Sequence, residues 1–163
     1  MKRLILMRHC KSDWAHNLPD IERPLNGRGR KSARALGDWL RIHSHLPDEI
    51  MCSSSTRTYE TCHALGLSPQ IDLYPELYLA DAQTLSMTLA GAQGEVVLMA
   101  GHNPGIGHFA WQAVKTAPAH SRFGDYPTGA TTVIDFDVDD WSALGTKKGT
   151  AIDFAIPREL LAR

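Results

Sequence analysis

Two stretches of this 163-residue chain are apolar without interruption, Leu4 to Met7 and Val96 to Ala100. Short apolar runs between polar flanks predict strands buried on both faces, as in the middle of a parallel sheet. Each run empties into a polar loop that brings an imidazole: Arg8-His9-Cys10-Lys11-Ser12 after the first, Gly101-His102-Asn103-Pro104-Gly105 after the second. Between them, Lys11 to Gly29 forms a long polar loop with Pro19, Pro24, Gly27 and Gly29. A loop of that length in a compact domain is usually functional, so it is expected to border a site. Arg30 to His43 places Ala33, Leu36 and Leu40 on one face with Trp39 beside them, the spacing of an amphipathic helix.

Glu49 to Cys52 predicts a short strand, and Ser53-Ser54-Ser55 supplies capping residues for a helix from Thr56 to Leu65 closed by Gly66. Ile71 to Tyr74 predicts another strand, after which Asp81 caps a helix holding Leu85 and Leu89 and ended by Gly91. A helix with Phe109, Ala113 and Val114 follows the second apolar run, then a Pro-, Gly- and Ser-rich loop from Ala117 to Gly129. Thr132, Ile134, Phe136 and Val138 alternate with Asp135 and Asp137, and Ile152, Phe154 and Ile156 alternate around Asp153. That period predicts half-exposed antiparallel strands near the C-terminus, joined through Gly145 to Gly149. Strands and helices alternate through the first two-thirds, which predicts a three-layer α/β/α sandwich with a mainly parallel central sheet, as one domain over 1–163.

Composition narrows the function classes. With 17 Lys and Arg against 18 Asp and Glu, there is no overall basic footprint, so nucleic acid and anionic membranes are not expected partners. No apolar run approaches roughly 18 residues, and the first is too short for a signal-peptide core, so the expected location is the cytoplasm. Cys10, Cys52 and Cys62 are odd in number and lack C-x-x-C spacing, which points to reduced thiols rather than a disulfide framework or a zinc site.

Parallel strands bring their carboxyl ends to one sheet edge, where ligands of open α/β sheets bind. Three such junctions carry Arg8-His9, Arg57 and His102. Two guanidinium groups suit a bidentate grip on phosphate oxygens, and the helix N-terminus after the Ser run adds backbone donors. A neutral imidazole attacks phosphorus directly, and nearby Arg charge keeps it neutral. The second imidazole, when protonated, would stabilise charge on the equatorial oxygens, so the chemistry needs no metal and no cofactor.

These residues resemble the histidine phosphatase superfamily, and within it the small bacterial phosphohistidine phosphatases of the SixA type. The family's R-H after a strand appears as Arg8-His9, its K-S-x-W as Lys11, Ser12 and Trp14, and its D-x-x-R-P-L-x-x-R-G as Asp20 to Gly29. Its S-x-x-x-R-x-x-x-T is Ser53 to Thr61, its G-H-N-P-G is Gly101 to Gly105, and its late P-T-G is Pro127 to Gly129. The resemblance implies a phosphoglycerate mutase-like fold and a phosphatase acting through a phosphohistidine on His9. Arg8, Arg57 and His102 then form the phosphate pocket, with Arg23 and Ser12 assisting substrate binding. It implies a phosphate-bearing substrate, such as a phosphorylated signalling protein.

Two positions depart from the family pattern. Cys10 stands where Gly or Ala is usual, which puts a thiol beside the site and makes oxidation sensitivity conceivable. No clear general acid is present: Glu76 is the best candidate, with Asp81 second because it also reads as an N-cap. Trp14 is expected at the site entrance, and Trp39 and Trp111 in packing. The cations Arg23, Arg28, Arg30, Lys31, Arg34 and Arg41 form either a solvated face or a surface for an acidic partner. A cysteine phosphatase with H-C-x5-R is disfavoured because His16 stands where its Arg belongs. A phosphoglycerate mutase needs insertions this short chain lacks. A small-metabolite phosphatase and a non-catalytic phosphate-binding module remain as alternatives.

Overall fold

The protein is described here by a computed structural model covering residues 1–162; Arg163, the last residue of the expected domain, lies outside the described residues. Six strands form one sheet: β1 (Lys2–Arg8), β2 (Glu49–Ser53), β3 (Ile71–Tyr74), β4 (Val96–Gly101), β5 (Thr131–Phe136) and β6 (Thr150–Ala155), in the order β3-β2-β4-β1-β5-β6. The pairs β3–β2, β2–β4 and β4–β1 are parallel, while β1–β5 and β5–β6 are antiparallel. The mainly parallel α/β sheet with antiparallel strands at the C-terminal side is therefore as the sequence predicts.

The apolar runs take the centre because they alone can be buried on both faces. In β1, Leu4 and Leu6 join one core, while Ile5 and Met7 join the other, and all four are fully buried. Burial on that scale contributes about 1.5–3 kcal/mol for each such side chain. Helices α1 (Gly27–Ile42) and α2 (Thr56–Ala64) cover the Ile5 side through Ala33, Leu36, Leu40 and Cys62. Helices α3 (Ala82–Leu89) and α4 (Gly105–Ala113) cover the Leu4 side through Leu85, Leu89, Ile106 and Phe109. A short α5 (Pro157–Leu161) closes the chain and packs on α1.

Four local expectations change. Helix α1 starts at Gly27 rather than Arg30, because the Asn26 side chain accepts from the Gly29 amide at 2.8 Å and caps it. Gly29 is required there: a Cβ would run into the Lys11 backbone carbonyl, so α1 presses directly against the loop that follows β1. Strand β5 is buried on both faces apart from the intermediate Asp135, since it lies between β1 and β6 rather than at a half-exposed edge. A register shift opposite Val133 and Ile134 leaves Ile152 unpaired and exposed, which breaks its alternation with Phe154. Trp39 is packed as expected, whereas Trp111 is 59% exposed, touching Phe123 only at a ring separation of 6.0 Å. Among the described residues, no helix is long and apolar enough to cross a membrane.

Candidate active site

Strand register sets the site. Arg8 pairs with Gly101 across β1 and β4, so the residues that follow, His9 and His102, emerge side by side with ring centroids 5.2 Å apart. The His9 amide donates to the Gly101 carbonyl at 3.1 Å, which continues the ladder one residue past β1. From the other side Gly129, at φ +77°, donates to the His9 carbonyl at 2.9 Å. A side chain at that position would be strained and would strike Pro157, so the late P-T-G turn clamps the His9 backbone.

These elements enclose a cavity of about 440 Å³ lined by Arg8, His9, Ser12, Arg23, Arg57 and His102, with Asp20, Lys11, Trp14, Asn103 and Thr128 around them. His9 is buried, and its Nδ1 lies 2.7 Å from the Cys10 carbonyl. A carbonyl only accepts, so Nδ1 carries the proton and Nε2 keeps the lone pair. Burial pushes His9 down to about 3, and the neighbouring His102, Arg57 and Arg8 add to the shift against the bond to Cys10. His9 is thus a neutral imidazole at any ordinary pH.

The residues of the Ser53-to-Thr61 stretch divide the work of holding this arrangement. The Arg57 Nη2 donates to His102 Nδ1 at 3.3 Å, which leaves the proton on Nε2 to be donated to Ser53 Oγ at 2.7 Å. Burial, and next the Arg57 charge, hold His102 at about 3, so the second imidazole is neutral in the free protein rather than protonated. Ser55 caps α2, setting Arg57 in its first turn, and Thr61 one turn later accepts the Cys10 amide at 3.0 Å.

Cationic groups crowd the remaining wall. Burial and the Arg57 charge lower the pKa of Arg8, whose Nη1 donates to the Tyr126 carbonyl at 3.2 Å. Arg57 is 3% exposed and donates to the Asp20 carbonyl at 2.7 Å and carboxylate at 3.0 Å. Arg23 donates to Ser12 Oγ and to the Asp20 carboxylate at 2.9 Å, and its guanidinium lies 3.6 Å over the Trp14 ring. Trp14, 78% exposed, stands at the cavity mouth. The buried Nε atoms of Arg8, Arg23 and Arg57 meet no acceptor from the described residues. The guanidinium groups of these three residues line the cavity together, and that set of donors suits an anion with several oxygens, such as phosphate.

Asp20 is the surprise of the site. Its carboxylate accepts from Tyr78 Oη, Arg23 and Arg57, in that order of effect, and lies well below the usual carboxylate range. The sequence signal was present in the D-x-x-R-P-L stretch, but Tyr78 carried none. Glu76 is exposed on a 3-10 turn at Pro75–Leu77 and does not line the cavity, while Asp81 caps α3 through the Thr84 amide at 2.9 Å. Cys10 is also displaced from its expected place: fully buried, it belongs to the core on the α1 side, and burial pushes its thiol up to about 12. A protonated, inaccessible thiol is neither a nucleophile nor readily oxidised.

Residues 4–83 match the model of the histidine phosphatase superfamily, branch 1. A proposed SixA phosphohistidine phosphatase from Nakamurella shares the fold with a TM-score of 0.86 and 27% identity over 96% of both chains. A second proposed SixA protein, from Agrobacterium tumefaciens, gives 0.78 and 27% over 96% of this chain and 98% of the other. An uncharacterised protein of Mycobacterium leprae is 26% identical over 162 residues, covering 93% of this chain and 100% of the relative.

Proposed function

Because the chain belongs to the histidine phosphatase superfamily and is a phosphatase of the histidine-nucleophile type, we propose that it hydrolyses phosphoramidates, protein phosphohistidine above all, through a phosphohistidine on His9. The observation that carries this reading is the 2.7 Å contact of His9 Nδ1 with the Cys10 carbonyl, which places the proton on Nδ1 and leaves Nε2 its lone pair.

In the first step the Nε2 lone pair attacks phosphorus and the bond to the leaving group breaks, its electron pair departing with that group. Arg8, Arg23 and Arg57 then supply donors to the three equatorial oxygens as negative charge spreads over them. In the second step water attacks the phosphohistidine, the P–N bond breaks, and Nε2 recovers its lone pair as phosphate is released. His102 stands beside His9 with its Nδ1 accepting from Arg57 and its Nε2 donating to Ser53, so it positions the Arg57 guanidinium and supplies no proton.

The choice of leaving group follows from the carboxylates. Asp20 is the one carboxylate among the described residues that lines the cavity, and its ion pairs keep it ionised, so it has no proton to give. An alkoxide leaving group needs that proton from the enzyme, whereas the imidazole of a phosphohistidine takes one from solvent on its other ring nitrogen and departs as a neutral molecule. General-acid help is worth about 10²–10⁴-fold, so phosphohistidine or phosphoramidate should be hydrolysed at least about 100-fold faster than an alkyl phosphate such as phosphoserine. Steady-state kcat/KM on matched peptides measures this; equal rates would require an acid the site does not offer and would reject the assignment.

A further inference from the structure

Two further grooves run from the catalytic cavity along one side of the molecule. The first, about 280 Å³, shares Lys11 and Thr128 with the cavity and adds Arg28, Arg122 and Arg158. The second shares Arg28 and Leu161 with the first and adds Lys31. Arg122 is paired with Asp125 at 3.0 Å, whereas Lys11, Arg28, Lys31 and Arg158 make no ion pair among the described residues, and no Asp or Glu lines either groove.

Five of the six clustered cations seen in the sequence take separate places in the fold. Arg23 enters the active site, Arg30 donates to the Leu25 carbonyl and Arg41 to the Leu65 carbonyl, while Arg28 and Lys31 face the groove. Residues distant in sequence, Lys11 after β1 and Arg158 on α5, complete a basic track in a chain whose net charge is -1. Such segregation of sign beside a cavity is not needed for folding, and unpaired like charges oppose it.

We propose that this track is the docking groove for an acidic segment of the protein substrate, one carrying Asp or Glu residues next to the phosphorylated side chain. The proposal rests on the phosphatase reading and deepens it by naming the substrate's surroundings. Lys11 lines the catalytic cavity itself, whereas Lys31 lines only the second groove, so an extended polypeptide is the kind of substrate suited to contact both. Ion pairs of this kind at the rim act chiefly on encounter and affinity and are screened by salt.

The test uses the full chain and the double variant Arg28→Glu, Arg158→Glu, neither residue being part of the catalytic cavity. Two phosphohistidine peptides, one flanked by Asp and Glu and one by Ser and Gln, are compared with phosphoramidate. The variant should raise KM for the acidic peptide about tenfold, leave kcat and phosphoramidate turnover within about twofold, and show a flatter salt dependence. Equal effects on both peptides, or none, would overturn the docking groove while leaving the phosphatase reading intact. Binding of the acidic peptide to a His9→Ala protein, followed by fluorescence anisotropy, does not depend on turnover. Charge-dependent binding there without turnover in the native chain would retain the groove and reject the phosphatase. Tighter binding of a single-stranded oligonucleotide than of the acidic peptide would overturn the choice of partner.

Discussion

Asp20 places a fixed negative charge between Arg23 and Arg57, so in the free protein it occupies the donors that a phosphoryl group needs. A bound phosphate must compete with it, and after hydrolysis the same carboxylate competes with the product. Asp20→Asn removes this competition while keeping the shape. Its side chain is 44% exposed, so the ion pairs are partly screened, and inhibition by inorganic phosphate should strengthen only about threefold to tenfold. The inhibition constant for phosphate measures this. Weaker inhibition would mean that Asp20 instead holds the arginines in their working positions. The role of Asp20 was hidden in the sequence because an Asp three residues before an Arg reads equally well as a local ion pair or a turn residue. The approach of Arg57, 37 positions later, and of Tyr78, 58 positions later, gives it two further partners. Cys10 shows the reverse case: its place beside His9 looked chemical, yet its amide is held by Thr61 and its side chain packs in the core on the α1 side. His9 faces the cavity, and Cys10 faces the core.

At the scale of elements, the site depends on how closely the loop after β1 is held. Helix α1 touches it at Gly29, α2 holds the Cys10 amide through Thr61, and Gly129 holds the His9 carbonyl. Gly29→Ala should push the Lys11 backbone away. The cost is on the order of 1–3 kcal/mol in denaturant unfolding, with a raised KM because Lys11 and Ser12 line the cavity. An unchanged midpoint would show that the loop yields freely. The apolar runs of β1 and β4 were legible in the sequence because burial on both faces leaves an unmistakable pattern, and they carried His9 and His102 to the correct sheet edge. The helix start at Gly27 was less legible, since glycines ordinarily argue against a helix, and here close packing rather than propensity decides. Strand β5 misled for a related reason: Asp135 suggested a solvent face, but it is paired with Arg3 at 2.7 Å within a strand otherwise buried.

For the molecule as a whole, two buried neutral histidines make folding pH-dependent. Both His9 and His102 titrate near 3 when folded but near 6.5 when unfolded, so between these values the unfolded chain binds more protons. Stability therefore falls as pH falls below 6.5, by up to about 1.4 kcal/mol per pH unit for each histidine. Chemical denaturation at pH 7 and pH 5 should differ by roughly 2–4 kcal/mol, and a His9→Gln, His102→Gln protein should lose most of that difference. A pH-independent stability would mean that the imidazoles are solvated. The same depression of pKa keeps the nucleophile in its attacking form, so acid lability of the fold and readiness of the site have one physical origin.

The central claim, covalent transfer to His9, is tested most directly by trapping. A substrate radiolabelled on phosphorus is mixed with the native chain, quenched in alkali, and the labelled residue identified by mass spectrometry. Label on His9 that is stable in alkali, lost in acid, retained in Cys10→Ser and absent in His9→Ala is the result this structure predicts. Label that persists in His9→Ala, or that disappears in Cys10→Ser while His9 is intact, would contradict it.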